Sequence, residues 1–372
     1  MSWVMKINYI SNIPENESSG GGSGVNKAVY KYFEKRNEYF NYQYINPNPN
    51  KIEQFKSKLQ KLFHRARKYF FFSESRLKKI KRSFKHDPYT DIYFFHGFTP
   101  WIKIKPDKPY FCFNDACFAT YVEIYNNSDH FSKKDVERIF VQEKNWLKNA
   151  AAVLFRSNWA LEETKRKYHL EGYNFHNVGV GGFIDIPSND TYSNGKDFLF
   201  IAREFIPKGG PEASMALQKV LDVYPDVSLQ IVGEKPNEQI LQLPGIKYIG
   251  FLNKNNPEEK KILQEIFSKS FALIHPTVKD TNTLVITELA YYGCPAISTN
   301  KFAIPEYLIN NETGYLVEDP KSIEEIASKM IELIKDAENY SAMRLATREN
   351  ALNNNTWEVV LQRIEKIINE KK

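Results

Sequence analysis

The sequence is poor in cysteine and gives its cysteines no pattern. Cys112, Cys117 and Cys294 are three in 372 residues. The number is odd, and no C-x-x-C pair or Cys/His ligand spacing accompanies them, so neither a disulfide framework nor a structural zinc has support. A reducing compartment fits best. Long hydrophobic runs are also missing: none approaches the ~20 residues that would span a bilayer. The opening MSWVMKINYIS has no cationic region and no cleavage site, and reads as a strand, not a signal peptide. No repeat recurs at solenoid periods.

What is present is length and a lopsided charge. A chain of 372 residues exceeds the size at which one core usually stops growing, so two domains are expected. The net charge of +6 is concentrated. Between Lys51 and Lys85 thirteen Lys and Arg face two acids, Glu53 and Glu74, a local +11 that leaves about −5 for the rest.

Short apolar runs alternate with amphipathic ones. A strand over Met5 to Ser11, a Gly-rich loop and a helix with Val25, Ala28, Val29, Tyr32 and Phe33 on one face open the chain; this is the start of a Rossmann-like half. Runs at FNYQYI, DIYFFHG, YFCFND and AAVLFRS follow, each ending in a polar or small residue as buried parallel strands do. Ile184 to Asp197, rich in Pro, Ser, Asn, Asp and Gly, reads as a linker. Beyond it strands and helices alternate again, from DFLFIAR to PAIST, which predicts a second parallel α/β domain. A last helix is expected near Thr356 to Asn369. In such sheets ligands bind beyond the carboxyl ends of the strands.

Two stretches carry candidate chemistry. In IAREFIPKGG, Arg203 ends a strand and Lys208 precedes a glycine pair; a planar fork and a point charge beside a helix start suit a diphosphate, although two solvated surface cations would look the same. In HPTVKDTNTLVITELAYYG, Asp280 follows a strand and Glu288 lies about one turn into a helix. Carboxylates suit vicinal hydroxyls. The amides of Asn282, Thr283 and Leu284 lie near that helix start, where they can face an anion. An ordinary loop acid and an ordinary helix acid are the plain alternative.

The order of features resembles the retaining glycosyltransferases of family 4, with the GT-B fold. R-E-F-I-P-K-G stands where that family has R-L-x-x-x-K-G, and IVGEKP and YIGFLNK where it has a V-G-x-G-P-like turn and a strand ending in G-F. P-T-V-K-D-T-N-T-L-V-I-T-E-L-A-Y-Y-G-C-P-A parallels P-S-x-x-E-G-F-G-L-x-x-x-E-A-x-x-x-G-x-P-V, and IPEYLINNETGYLVEDP follows in register. The matches cover most of Asp197 to Pro320; the N-terminal half matches weakly. Two departures are evident: aspartate replaces the family's first glutamate, and Thr281-Asn282-Thr283 replaces Gly-Phe-Gly.

The resemblance implies an α/β protein of two Rossmann-like, doubly wound domains facing each other across a cleft. Residues 1–185 would form the acceptor-side domain and 186–355 the nucleotide-sugar domain, with 356–372 a helix crossing back. It implies transfer of a sugar from a UDP-sugar or GDP-sugar to an acceptor hydroxyl of a glycan or a lipid-linked acceptor, with retention, no cofactor and no metal. No D-x-D, the carboxylate pair that holds a metal on the diphosphate in another transferase fold, occurs in the chain. Arg203 and Lys208 would neutralise the diphosphate, Glu288 would hold the ribose, and Asp280 would support the donor sugar. The backbone of Thr283 and Leu284 would meet the phosphates, and Gly21 and Gly22 would admit the backbone close to them. Gly250, Phe251 and Leu252 would pass the nucleobase. His96, at a strand end, would orient the acceptor hydroxyl or shuttle its proton, and Asp115 would bind the acceptor. A structural histidine is the alternative for His96, and His275 reads as structural. An epimerase or an inactive nucleotide-binding protein of the same fold are the rivals.

The basic segment 51–85 stays open at this level. Ile52, Phe55, Leu59, Leu62, Phe63, Ala66, Tyr69 and Phe70 share one helical face and cations fill the other. The segment fits an anionic membrane surface, an anionic acceptor, or plain packing of its apolar face onto the sheet. No nucleic-acid recognition motif supports the fourth use of a basic patch. A cytoplasmic enzyme, peripheral on the membrane if the first reading holds, is the expectation.

Overall fold

The structure is a computed structural model that describes residues 5–17, 21–62, 71–125 and 131–371, the side chains of residues 60 and 61 excepted. It divides into two compact units, Met1–Gly179 with Leu361–Lys372, and Val180–Val360. The divisions fall a few residues from the expected 185/186 and 355/356.

In unit 1 the chain runs β1 (Lys6–Ser11), α1 (Gly21–Arg36), β2 (Tyr39–Tyr44), α2 (Lys51–Leu62), α3 (Glu74–Ser83), β3 (Ile92–His96), β4 (Tyr110–Asn114), α4 (Phe118–Tyr125), α5 (Lys133–Lys148), β5 (Ala152–Phe155), α6 (Asn158–Tyr168) and β6 (Phe175–Asn177). The strands form one parallel sheet in the order β2-β1-β3-β4-β5-β6. Its central strands are unbroken apolar runs because helices cover both faces: β3 and β5 are buried throughout. Aromatics fill much of the core, with Tyr9 stacked on Phe94 and Phe33 edge-on to the same ring.

Unit 2 runs β7 (Asp197–Ala202), α7 (Gly210–Leu221), β8 (Ser228–Gly233), α8 (Glu238–Leu241), β9 (Ile246–Gly250), α9 (Pro257–Lys269), β10 (Leu273–His275), α10 (Leu284–Ala290), β11 (Ala296–Thr299), α11 (Ile304–Tyr307), β12 (Gly314–Val317), α12 (Ile323–Lys335) and α13 (Ala337–Asn354). Its sheet is also parallel, ordered β12-β11-β10-β7-β8-β9. A final helix, α14 (Trp357–Lys371), closes the chain.

Strand order locates a switch point in each sheet. After β1 the chain steps outward to β2, then returns to β3 on the other side of β1. After β9 it returns to β10, on the other side of β7. The loops leaving such neighbouring strands diverge, and the crevice between them is where doubly wound sheets take ligands.

One expectation is corrected here. The segment from Ile184 to Asp197 is not a slack linker but a strap laced to unit 2. Arg344 grips Asp190 with two nitrogens, Nε at 2.8 Å and Nη2 at 2.7 Å. Lys260 and Gln264 hold Asp185 at 2.7 and 3.1 Å, and Arg348 donates to the Pro187 carbonyl at 2.6 Å. Its polar composition serves those bonds. Of the readings left open for segment 51–85, packing onto the sheet does not hold for α2: Ile52, Phe55, Leu59 and Leu62 lie exposed. Phe63, Ala66, Tyr69 and Phe70 lie outside the described residues. Among the described residues no helix is long and apolar enough to cross a membrane.

Candidate functional site

The expected residues fall into two groups, one at each switch point. In unit 2 the loop after β7 carries Arg203 and Lys208, and the loop after β10 carries Asp280. These loops come close because Gly209 permits it. A Cβ there would lie 2.4 Å from the Pro276 carbonyl oxygen, and its φ of +83° is one that side chains resist. The approach brings Lys208 Nζ to 2.7 Å from Asp280 Oδ2 and 2.8 Å from the Lys279 carbonyl oxygen.

Beneath that pair lies His275, the last residue of β10, buried and stacked on Phe200. Its Nε2 is 3.8 Å from Asp280 Oδ2, beyond hydrogen-bond length, and neither ring nitrogen has a partner among the described residues. Burial pushes the imidazole down, and Asp280 offsets this only partly. Burial opposes charge on Asp280 too, but His275 and the Lys208 ammonium outweigh it and hold the carboxyl at about 2. At neutral pH the site therefore holds an ionised Asp280 and a neutral imidazole.

The loop from Asp280 to α10 spends its amides internally. Asn282 N–H donates to Asp280 Oδ1 at 3.2 Å, and Leu284 N–H donates to the Asn282 carbonyl at 3.0 Å. Two of the three amides expected to face an anion are thus engaged within the loop, and α10 has only seven residues. Asn282 Oδ1 accepts from the Tyr307 hydroxyl at 2.7 Å, while its Nδ2 and the Thr283 hydroxyl are buried without partners among the described residues.

Glu288 sits inside the fold, not on an exposed helix face; its side chain is 1% exposed. Oε1 accepts from the Phe183 amide at 2.9 Å, and Oε2 pairs with Lys254. Gly182 makes room for it, since a Cβ there would meet Glu288 Cγ at 2.6 Å. Arg203 is exposed, its guanidinium 6.0 Å from the centroid of the exposed Phe251 ring. Gly250 and Leu252 flank that ring at the end of β9.

In unit 1 the switch point opens into a pocket of about 390 Å³ whose lining includes Gly22, His96, Asp115, Tyr121, Tyr125 and Arg156. Gly21 begins α1 at φ +55°, and among the described residues no neighbouring atom crowds either Gly21 or Gly22. His96 ends β3 and is buried; its Nδ1 has no partner among the described residues. Burial first, then the nearby Arg156 charge, push the imidazole down to about 3, with the Gly22 backbone working weakly against them. Arg156 Nη1 lies 3.5 Å from Asp115 Oδ2 and its guanidinium faces the Phe113 ring.

Four participants escaped the sequence reading. Arg156 follows the buried strand AAVLF as Arg203 follows FLFIA, so the signal used for Arg203 was available there. His275, read as structural, is buried as that reading expects and also ends a strand at a switch point. Lys254 and the Phe183 amide gave no signal, because only folding brings them to Glu288.

Comparison with known proteins bears on the family and the fold. Residues 184–351 match the family described as Glycosyl transferases group 1. Spore coat protein SA of Bacillus subtilis (strain 168) is 22% identical over 183 residues, 45% of this chain and 47% of that protein, so the match spans about half of the curated relative's length. Sucrose-phosphate synthase from Thermosynechococcus elongatus superposes with a TM-score of 0.68 at 14% identity, covering 98% of both chains. Anabaena Alr3699/HepE in complex with UDP and glucose gives 0.64 at 12% identity, covering 98% of this chain and 99% of that one. At such identities the likeness speaks to fold alone.

Proposed function

For a chain whose residues 184–351 belong to the glycosyl transferases group 1 family, on two Rossmann-like sheets of the GT-B fold, we propose transfer of a sugar from a nucleoside diphosphate to an acceptor hydroxyl. The observation that carries this reading is the Lys208–Asp280 pair at the unit 2 switch point, 2.7 Å apart over a buried histidine.

Unit 2 takes the donor. Lys208 and the exposed Arg203 neutralise the diphosphate, the first as a point charge and the second as a fork. Phe251, exposed beside Arg203, offers a face to the base. Glu288 accepts from ribose hydroxyls, and Lys254 must then yield Oε2. Asp280, already ionised, holds sugar hydroxyls at the reacting face; being one methylene shorter than glutamate, it sets the sugar deeper. The Alr3699/HepE structure contains UDP, so a UDP-sugar is the donor to try first.

Unit 1 takes the acceptor. His96 is neutral at any pH above about 3, so it orients the acceptor hydroxyl as a hydrogen-bonding imidazole and does not carry a proton as a cation. The proton passes to the leaving diphosphate oxygen as the new glycosidic bond forms on the face that phosphate vacates, with retention. Arg203 and Lys208 supply the charge that a metal would otherwise supply.

Thermal-shift titration against UDP, GDP and their sugars provides the first test, because a ligand bound only by the native state raises the melting midpoint. Donor hydrolysis and transfer are then followed in EDTA, with the product anomer read by NMR. Inversion of configuration would end the front-face reading. Nucleotide binding without hydrolysis or transfer across a broad acceptor panel would replace the enzyme with a nucleotide-binding protein.

A further inference from the structure

Glu288 holds its two acceptor atoms on unlike terms. Oε1 accepts from the Phe183 backbone amide at 2.9 Å. That stretch of backbone is fixed in turn: the Gly182 amide donates to the Tyr291 hydroxyl at 2.8 Å, and the same hydroxyl donates to the Asn355 carbonyl at 2.5 Å. Oε2 instead pairs with a long side chain, Lys254. The Lys254 side chain is 31% exposed, against 1% for Glu288. Its backbone lies in a braced turn. Asn253 N–H donates to Glu259 Oε2 at 2.7 Å, Asn255 N–H to Asn253 Oδ1 at 3.0 Å, and Asn256 N–H to the Asn253 carbonyl at 2.9 Å. The turn can therefore stay in place while the four-carbon stem rotates out to water.

A carboxylate oxygen this deep is costly to leave without a donor. Lys254 supplies one in the free protein. A ribose supplies the same from two adjacent hydroxyls, whereas a diphosphate brings acceptors and has no donor to offer in exchange.

We propose that Lys254 is a specificity-determining residue of the donor site: it stands in for the ribose and yields Oε2 to a ligand whose hydroxyls replace it. This role rests on the ribose contact proposed for Glu288. Apparent affinity then falls in proportion to the fraction of molecules in which Lys254 has let go. A lysine beside the nucleotide thus weakens nucleotide binding, the opposite of what a phosphate-binding cation does.

Calorimetric titration with UDP and GDP, each beside its 2′,3′-dideoxy analogue, tests this. Lys254→Met keeps most of the stem and removes the amine. It should bind the ribonucleotide about tenfold more tightly, while the free protein melts lower because Oε2 has lost its donor. The dideoxy analogue should gain nothing. Lys254→Arg, which keeps a donor on Oε2, should bind no more tightly than the wild type. If the wild type binds a ribonucleotide and Lys254→Met binds it equally or less well, the proposal is overturned and the donor reading stands; a weaker Lys254→Met would make Lys254 a phosphate ligand. An equal gain for the dideoxy analogue would overturn it too, since the effect would not pass through the ribose. Absence of nucleotide binding from wild type and Lys254→Met alike would end the donor reading and this role with it.

Discussion

The two switch points share a plan and differ in how tightly their loops close. Each places a buried histidine at the end of the strand across the switch, His96 on β3 and His275 on β10, and burial is the first cause that pushes each imidazole below its ordinary range. In unit 2 the loops close tightly, Gly209 against Pro276, and set Lys208 on Asp280 at 2.7 Å. In unit 1 the loops stay apart around a pocket of about 390 Å³, and the facing Arg156 and Asp115 are 3.5 Å apart. One topology thus yields a crowded site, its cation and carboxylate in contact, and an open one around a pocket. How closely the loops approach decides which.

The sharpest way to break this contrast is to prise the unit 2 loops apart. Gly209→Ala should cost about 3 kcal/mol, from backbone strain and overpacking against Pro276, seen as a lowered denaturation midpoint. An unshifted midpoint would mean that the loops are free to separate. Next in size, Asp280→Ala should cut turnover about a hundredfold and leave nucleotide affinity nearly unchanged. Active Asp280→Ala enzyme would remove it from the reacting site. Glu288→Gln should weaken nucleotide binding about tenfold, the scale of one hydrogen bond to a charged group; calorimetric titration reads this directly, and equal affinity would deny it the ribose.

Smaller effects probe unit 1. An unfolded chain protonates His96 near 6.5, the folded one only near 3. Within that window the unfolded state holds more protons, so stability falls as pH drops, by up to about 1.4 kcal/mol per pH unit for this group. His96→Gln should flatten that slope and lower turnover, and the wild-type rate should show no inflection from His96 between pH 5 and 8, a range in which it stays neutral. Smallest of all, Gly22→Ala should change stability by no more than about 0.5 kcal/mol, since nothing crowds that position. A large loss would show that unit 1 is closed as tightly as unit 2.

Much of the fold was legible in the chain. Parallel strands covered on both faces are continuous apolar runs, and DIYFFH, YFCFN, AAVLF and DFLFIA carry that pattern in the sequence and form strands in the structure. The donor loops were legible too, through the positions of Arg203, Lys208, Asp280 and Glu288 relative to strand ends. Partners were not. The position of Glu288 was legible, but its partners, the Phe183 amide and Lys254, meet it from distant parts of the chain. The strap from Ile184 to Asp197 read as a linker because its anchors, Arg344 and Arg348, lie more than a hundred residues further on.

The sequence by itself determined the element order, the two parallel sheets and the strand ends at which charged residues gather. Local periodicity and burial set these, and neither needs a distant partner. Only the tertiary structure decided which carboxylate meets which cation, how near the loops at each switch point come, and which way α2 faces. The 3.6-residue pattern marks an apolar stripe on a helix but not its direction, and in α2 one buried glutamate, held by Ser75 and Lys79 of the next helix, turns that stripe toward solvent.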